Sequence, residues 1–143
     1  MGYLFGPKIV DLHGLNGAGT DMVKNMACGD ADTIYTHSHP LAYNVAIGCA
    51  MLVTSVAGTV DVDVYLEQSW YQLTPAEEGL AHAAYKTPTG SVKLIDITTE
   101  VWQYFQLGLL VFPYMRLRIV GAGAAANNAD ATCLVKLATQ EQN

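Results

Sequence analysis

The residues in this 143-residue chain best spaced for chemistry are His37 and His39. Two imidazoles at i and i+2 on a strand share a face, and zinc sites take ligands at that spacing. A metal site also needs a third ligand and groups that orient the first two. His13 and His82 are remote in sequence, and Pro40 follows the pair at once. The expectation is therefore two loop histidines making ordinary hydrogen bonds, with no metal.

Asp61 and Asp63 stand on one strand face beside Glu67. Paired carboxylates serve as acid and base in glycoside hydrolysis. Their regular alternation with Val60, Val62, Val64 and Leu66 instead reads as the solvated side of a strand. Asp96 and Glu100 flank a turn and read the same way. Ser38, Ser55, Ser69 and Ser91 all fall outside a GxSxG elbow. Gly14 to Gly19, GLNGAG, lacks the Lys-Ser/Thr of a phosphate loop and its strand–loop–helix setting. The sequence thus assembles no catalytic set, and neither enzyme activity nor a cofactor is expected.

Two further groups can bind rather than react. Arg116 and Arg118 share a face with Tyr114. Their guanidinium forks suit carboxylates of a neighbouring subunit, or the Asp61/Asp63/Glu67 face across adjacent strands. Trp70, Tyr71 and Trp102 are amphipathic anchors that suit a sugar-binding face, a sandwich core or a subunit interface.

The elements that must position these residues are strands. Thr59 to Gln68, TVDVDVYLEQ, alternates aliphatic with polar residues, the signature of a half-buried strand in an antiparallel sheet. Tyr114 to Val120 repeats it, with Met115, Leu117 and Ile119 on one side. In Ala131 to Ala138, Cys133, Val135 and Leu137 face inward and Thr132, Leu134 and Lys136 outward. Shorter strands are expected near residues 20–27, 33–36, 92–97 and 101–105; the long apolar run 41–56 could hold a helix over 43–53, but Gly48 and the Val-Thr-Ser-Val ending argue for strand. Leu73 to Tyr85 reads as one helical turn or a long loop. Thr74 is its cap, Pro75 the first helical position, and Thr74 with Glu77 a capping box.

Met1 to Thr20 reads as an irregular arm, broken by Gly2, Gly6, Pro7, Gly14, Gly17 and Gly19, yet rich in apolar residues. The expected organisation is an extended arm over 1–19, a β domain over 20–139 and a frayed end over 140–143. The fold class is all-β: a single antiparallel β-sandwich or jelly-roll-like barrel.

Composition bounds the partners. Hydrophobic residues make up 51% of the chain and charged residues 14%, where an ordinary soluble domain has about 25% charged. Either part of the surface is covered by other chains or a monomer carries a Ser/Thr/Asn/Ala surface; of the two, an oligomer is expected. Seven basic residues are spread through a chain of net charge −6, which argues against nucleic acid. Residues 41–60 carry no charge over a spanning length, but they hold Asn44, Gly48, Thr54 and Gly58 and run into an amphipathic strand, so no membrane span is expected. Cys28, Cys49 and Cys133 lack paired spacing and sit among small or apolar residues, so free, buried thiols are expected.

VDVDVYLEQSW (Val60 to Trp70), PYMRLRIVG (Pro113 to Gly121) and NNADATCLVKLATQ (Asn127 to Gln140) together resemble the small β-sandwich accessory proteins of tailed-bacteriophage virions, above all capsid decoration (cement) proteins. The likeness covers the C-terminal 85 residues or so in style rather than through an invariant motif. It implies a virion protein made in the host cytoplasm and carried on the capsid surface. Such a protein would bind the major capsid protein and itself, as a homotrimer, and stabilise contacts between shell subunits. The Gly-rich arm is similar to arms laid on the shell or exchanged within a trimer. The implied subunit or shell contacts are Tyr3, Leu4, Phe5, Ile9, Val10, Leu12, Arg116 and Arg118. A tail or head–tail component and a carbohydrate-binding β-sandwich are the alternatives.

Overall fold

The computed structural model describes residues 8–11, 26–29, 32–41, 44–55, 58–89, 93–108, 110–122 and 131–141. Ten strands follow in chain order: β1 (Lys8–Asp11), β2 (Met26–Cys28), β3 (Thr33–Tyr35), β4 (His39–Pro40), β5 (Asn44–Ser55), β6 (Val62–Ser69), β7 (Ile95–Ile97), β8 (Gln103–Phe105), β9 (Tyr114–Gly121) and β10 (Ala131–Glu141). There is no helix among the described residues, and so none long and apolar enough to cross a membrane.

Two antiparallel sheets form the sandwich. Sheet one runs β1-β10-β5-β8, with β2 also paired to β10; sheet two runs β3-β9-β6-β7, with β4 also paired to β9. The apolar positions of each alternating strand explain the layering. Cys49, Met51 and Val53 of β5 and Cys133, Val135 and Leu137 of β10 face inward from sheet one. Val62, Val64 and Leu66 of β6 and Met115, Leu117 and Ile119 of β9 meet them from sheet two. Burying one such large aliphatic side chain stabilises the fold by about 1.5–3 kcal/mol, so these strand faces drive the association of the two sheets.

Several expectations are refined. Residues 41–56 supply one 12-residue strand, β5, whose register on β10 shifts by one residue between Ala138 and Thr139. Part of the expected arm is a strand: Lys8, Ile9, Val10 and Asp11 pair with Thr139, Ala138, Leu137 and Lys136. Tyr3, Leu4, Phe5 and Leu12 lie outside the described residues. At the other end β10 continues past residue 139, with Gln140 and Glu141 paired to Val45 and Asn44, where the sequence predicts a frayed end over 140–143; residues 142 and 143 lie outside the described residues.

The 73–85 segment is a turn-rich loop. Glu77 N–H donates to the Thr74 carbonyl at 2.9 Å, and Thr74 N–H donates back to Glu77 Oε1 at 2.9 Å. The second bond is one half of a capping box; the Thr74 hydroxyl, instead of accepting from Glu77 N–H, donates to the same Oε1 at 2.7 Å and so pins a single turn. Gly79 then takes φ +80°, a backbone region that side chains disfavour, and the turn stops there.

Candidate functional site

On β6 the in–out alternation fails from Glu67 onward: Glu67, Gln68 and Ser69 are all buried. The 70–86 loop folds over the outer face of sheet two at this point and covers what a bare sheet would leave wet. Arg116 sits directly opposite Glu67 in the β6–β9 register. It has no solvent exposure, and its Nε donates to Glu67 Oε2 at 2.9 Å. Nη1 donates to the Leu80 carbonyl of the covering loop at 2.8 Å. The guanidinium lies 4.1 Å from the Tyr35 ring centroid and 4.5 Å from that of Tyr85. Arg118, two pairs along and so on the same face, approaches Glu67 Oε1 at 3.5 Å and lies over its own cross-strand partner Tyr65 at 4.3 Å.

Two expectations change here. Glu67 does not belong to a solvated acidic face; it is the buried counter-ion of Arg116. Arg116 presents no surface to another subunit, because it is consumed within the chain. Of the two readings open for the arginine pair, the cross-strand one describes the molecule. Arg118 is half-buried.

The histidines flank the same cluster. Ser38 N–H donates to Glu78 Oε2 at 3.2 Å, and Ser38 Oγ bonds the Tyr85 hydroxyl. That hydroxyl donates to the Tyr71 carbonyl at 3.0 Å. Glu78 Oε2 also lies 3.4 Å from His37 Nδ1, an ion-pair approach rather than an aligned hydrogen bond. The Glu78 carboxylate raises the His37 pKa against the lowering effect of burial, while burial and then the charge of His37 lower that of His39. His82 stacks on Tyr71 (centroids 4.9 Å apart, planes 11° apart) and meets Glu77 at 2.6 Å.

Among the described residues neither His37 nor His39 joins a cluster of three ligand-type groups close enough to share an ion. The cluster that does form is Asp61, Asp63 and Asp96. Lys93 Nζ already bridges two of its members, Asp63 at 3.0 Å and Asp96 at 3.4 Å.

Two hollows take the aromatics apart. A cleft of about 970 Å³ is walled by the end of β6, by Ala83, Ala84 and residues 86–89, and by residues 106–108 with Val111; Trp70, 69% exposed, and Phe112 border it. Gln68, buried beneath it, accepts from Val111 N–H at 2.9 Å and Phe112 N–H at 3.3 Å and so fixes the far wall. The second hollow, about 580 Å³, lies against sheet one and is bordered by Trp102, Tyr104 and Phe105 of the β8 region with Gly48, Ala50 and Ala138. Trp70, Tyr71 and Trp102 therefore do not make one platform.

The outer face of sheet one is the least usual surface. Since Cys49, Met51 and Val53 point inward, Gly48, Ala50, Leu52 and Thr54 point outward, and β10 presents Thr132, Leu134, Lys136 and Ala138. Leu134 faces Leu52 in register, and Tyr104 of β8, 77% exposed, faces Ala50. A free sandwich normally carries polar residues at such positions; here one lysine is the only charge among these nine.

No family model matches the chain, and no curated protein matches it. Sequence reasoning missed Tyr35, Glu78, Gln68 and Lys86 as site-building residues. Only the capping-box pattern signalled that the 73–85 segment was ordered enough to cover a sheet.

Proposed function

We propose that this chain is a structural virion protein of the capsid-decoration type, which docks on the shell through the outer face of sheet one and bridges neighbouring shell subunits. The observation that carries this reading is the apolar row Ala50, Leu52, Leu134 and Ala138 with the exposed Tyr104, on a chain with 14% charged residues. A flat sheet face lined with small and aliphatic side chains buries area at little entropic cost, since such side chains lose few rotamers. The buried ion pairs and capped loop on the opposite sheet support a rigid body, which suits a clamp. Self-association into a trimer belongs to the same proposal.

The test is co-sedimentation of the purified protein with shells that lack it, comparing wild type with Leu52→Asp and Leu134→Asp. Saturable binding that both substitutions abolish, with unchanged far-UV spectra, is the expected result. No binding to shells, or binding indifferent to both substitutions, overturns it; binding to isolated tails instead would transfer the chain to the tail.

A further inference from the structure

We infer that the cleft beside Trp70 binds an acidic saccharide unit, with the sugar ring on the Trp70 indole and its carboxylate on Lys86. This inference is independent of the shell-binding reading, since the cleft and the outer face of sheet one have no residue in common.

A volume of about 970 Å³ is that of a ligand site. Its aromatic platform is held in place before any ligand arrives. Trp70 packs edge-on against Tyr71, with centroids 5.9 Å apart and planes at 81°. Tyr71 is fixed in turn by its stack on His82 and by its hydroxyl, which donates to Glu77 Oε1 at 3.0 Å. An indole left 69% exposed on so rigid a support offers a flat apolar face at low ordering cost.

Lys86 supplies the charge. Its backbone is locked to Gln68 in both directions, at 2.9 and 3.1 Å, so its side chain starts from a fixed point on the cleft wall. Lys93, Arg116 and Arg118 are each paired with carboxylates, whereas Lys86 enters no ion pair among the described residues. A chain of net charge −6 that keeps, at an aromatic cleft, a lysine without an ion pair among the described residues selects for a single negative charge. It would repel a polyanion at longer range. Thr87, Thr89 and Gln106 line the same cleft and can meet sugar hydroxyls.

The fold argues against a peptide in this position. An extended peptide needs a free run of strand edge. On the side of β6 that faces the cleft, Val64 O already accepts from Leu94 N–H at 2.7 Å and Gln68 is bonded to Lys86, so only a single step lies between occupied positions.

The experiment titrates the purified protein with methyl galactosiduronate, a single acidic sugar, with its methyl ester and with sialyllactose against lactose, read by tryptophan fluorescence in a Trp102→Phe background so that Trp70 alone reports. Saturable binding of an acidic sugar, weakened about tenfold by Lys86→Met, is expected, as for loss of one charge-assisted contact. The ester or lactose should bind about that much more weakly than its acidic counterpart and be indifferent to Lys86→Met. Trp70→Ala, followed by isothermal calorimetry, should remove binding without lowering the melting temperature. Three results overturn the inference: no saturation by any of these sugars up to about 10 mM, equal affinity for acid and ester, or acidic-sugar binding that survives Trp70→Ala. Equal affinity would make the cleft a neutral-sugar site.

Discussion

Arg116 and Glu67 face each other across β9 and β6 with 2.9 Å between Nε and Oε2, both side chains removed from solvent. Two charges taken out of water recover their hydration only through each other and through further bonds, here the Leu80 carbonyl and the rings of Tyr35 and Tyr85. Glu67→Gln leaves the guanidinium buried without its counter-ion and should cost about 3–5 kcal/mol. The double change Glu67→Leu with Arg116→Met should cost less than Glu67→Gln alone. Urea denaturation of the three proteins checks this; equal losses would mean that the pair is not coupled.

Thr36 replaces a ladder partner where β3 ends. Its N–H donates to the Leu117 carbonyl at 2.9 Å, and its hydroxyl accepts from Leu117 N–H at 2.8 Å. Thr36→Val keeps the shape and removes the acceptor, leaving a buried amide unsatisfied at about 1–3 kcal/mol. Hydrogen exchange at the Leu117 amide should accelerate more than at Ile119, the next inward-facing residue on the same strand. Uniform acceleration of both would assign the effect to global unfolding.

How much of this was legible in the sequence follows from range. Alternation reports a strand whose two faces differ, so Val60 to Leu66, Tyr114 to Val120 and Ala131 to Ala138 could be read directly. At Glu67 the alternation fails because the loop that follows β6 folds back over the second face, where it meets β9. Arg116 reaches Leu80 across 36 residues and Glu67 across 49, and no local pattern encodes such a meeting. For the same reason the sequence left the arginine pair divided between two partners. Sheet membership was equally hidden: β5 and β6 are consecutive yet lie in different sheets.

Glu77 should govern part of the acid response. The Thr74 backbone amide and then its hydroxyl, with further help from Tyr71 and His82, hold the Glu77 carboxyl down at about 2, against 4.5 for an ordinary glutamate. A carboxyl depressed by folding stabilises the fold above its unfolded value, and that contribution is lost as pH falls through the folded one. Between pH 4.5 and about 2 the wild type should therefore lose stability more steeply than Glu77→Gln. Chemical denaturation across that window checks it, and parallel slopes would remove Glu77 from the account.

The cysteines should stay silent in the folded protein. Cys28, Cys49 and Cys133 are free and buried. Burial pushes the Cys28 thiol to about 11 and the Cys49 thiol to about 12, and raises Cys133 as well. Thiolate is the reactive form, so a thiol reagent at pH 8 should label none of the three until denaturant is added. Rapid labelling of any one in native buffer would mean that sheet one opens locally.

Truncation at the N-terminal strand tests folding and the proposed attachment separately. β1 occupies one edge of sheet one, where Lys8 to Asp11 pair with Thr139 to Lys136 of β10. Each backbone hydrogen bond contributes about 0.5–1.5 kcal/mol net, and ordering each residue costs about 1–2 kcal/mol. The strand's direct contribution to stability is therefore small. Its removal has a second consequence, because it leaves the β10 backbone unpaired along residues 136–139, and a bare edge recruits other strands. A chain beginning at Lys8 should melt like the full-length protein and remain dispersed. A chain beginning at Leu12 should melt only slightly lower but scatter light on standing. If the chain beginning at Lys8 keeps its melting temperature and loses shell binding, residues 1–7 serve attachment. If it keeps both, the outer face of sheet one carries the contact without them. A chain beginning at Leu12 that keeps the full-length protein's mass in solution and stays clear would show that the β10 edge is protected by something other than β1.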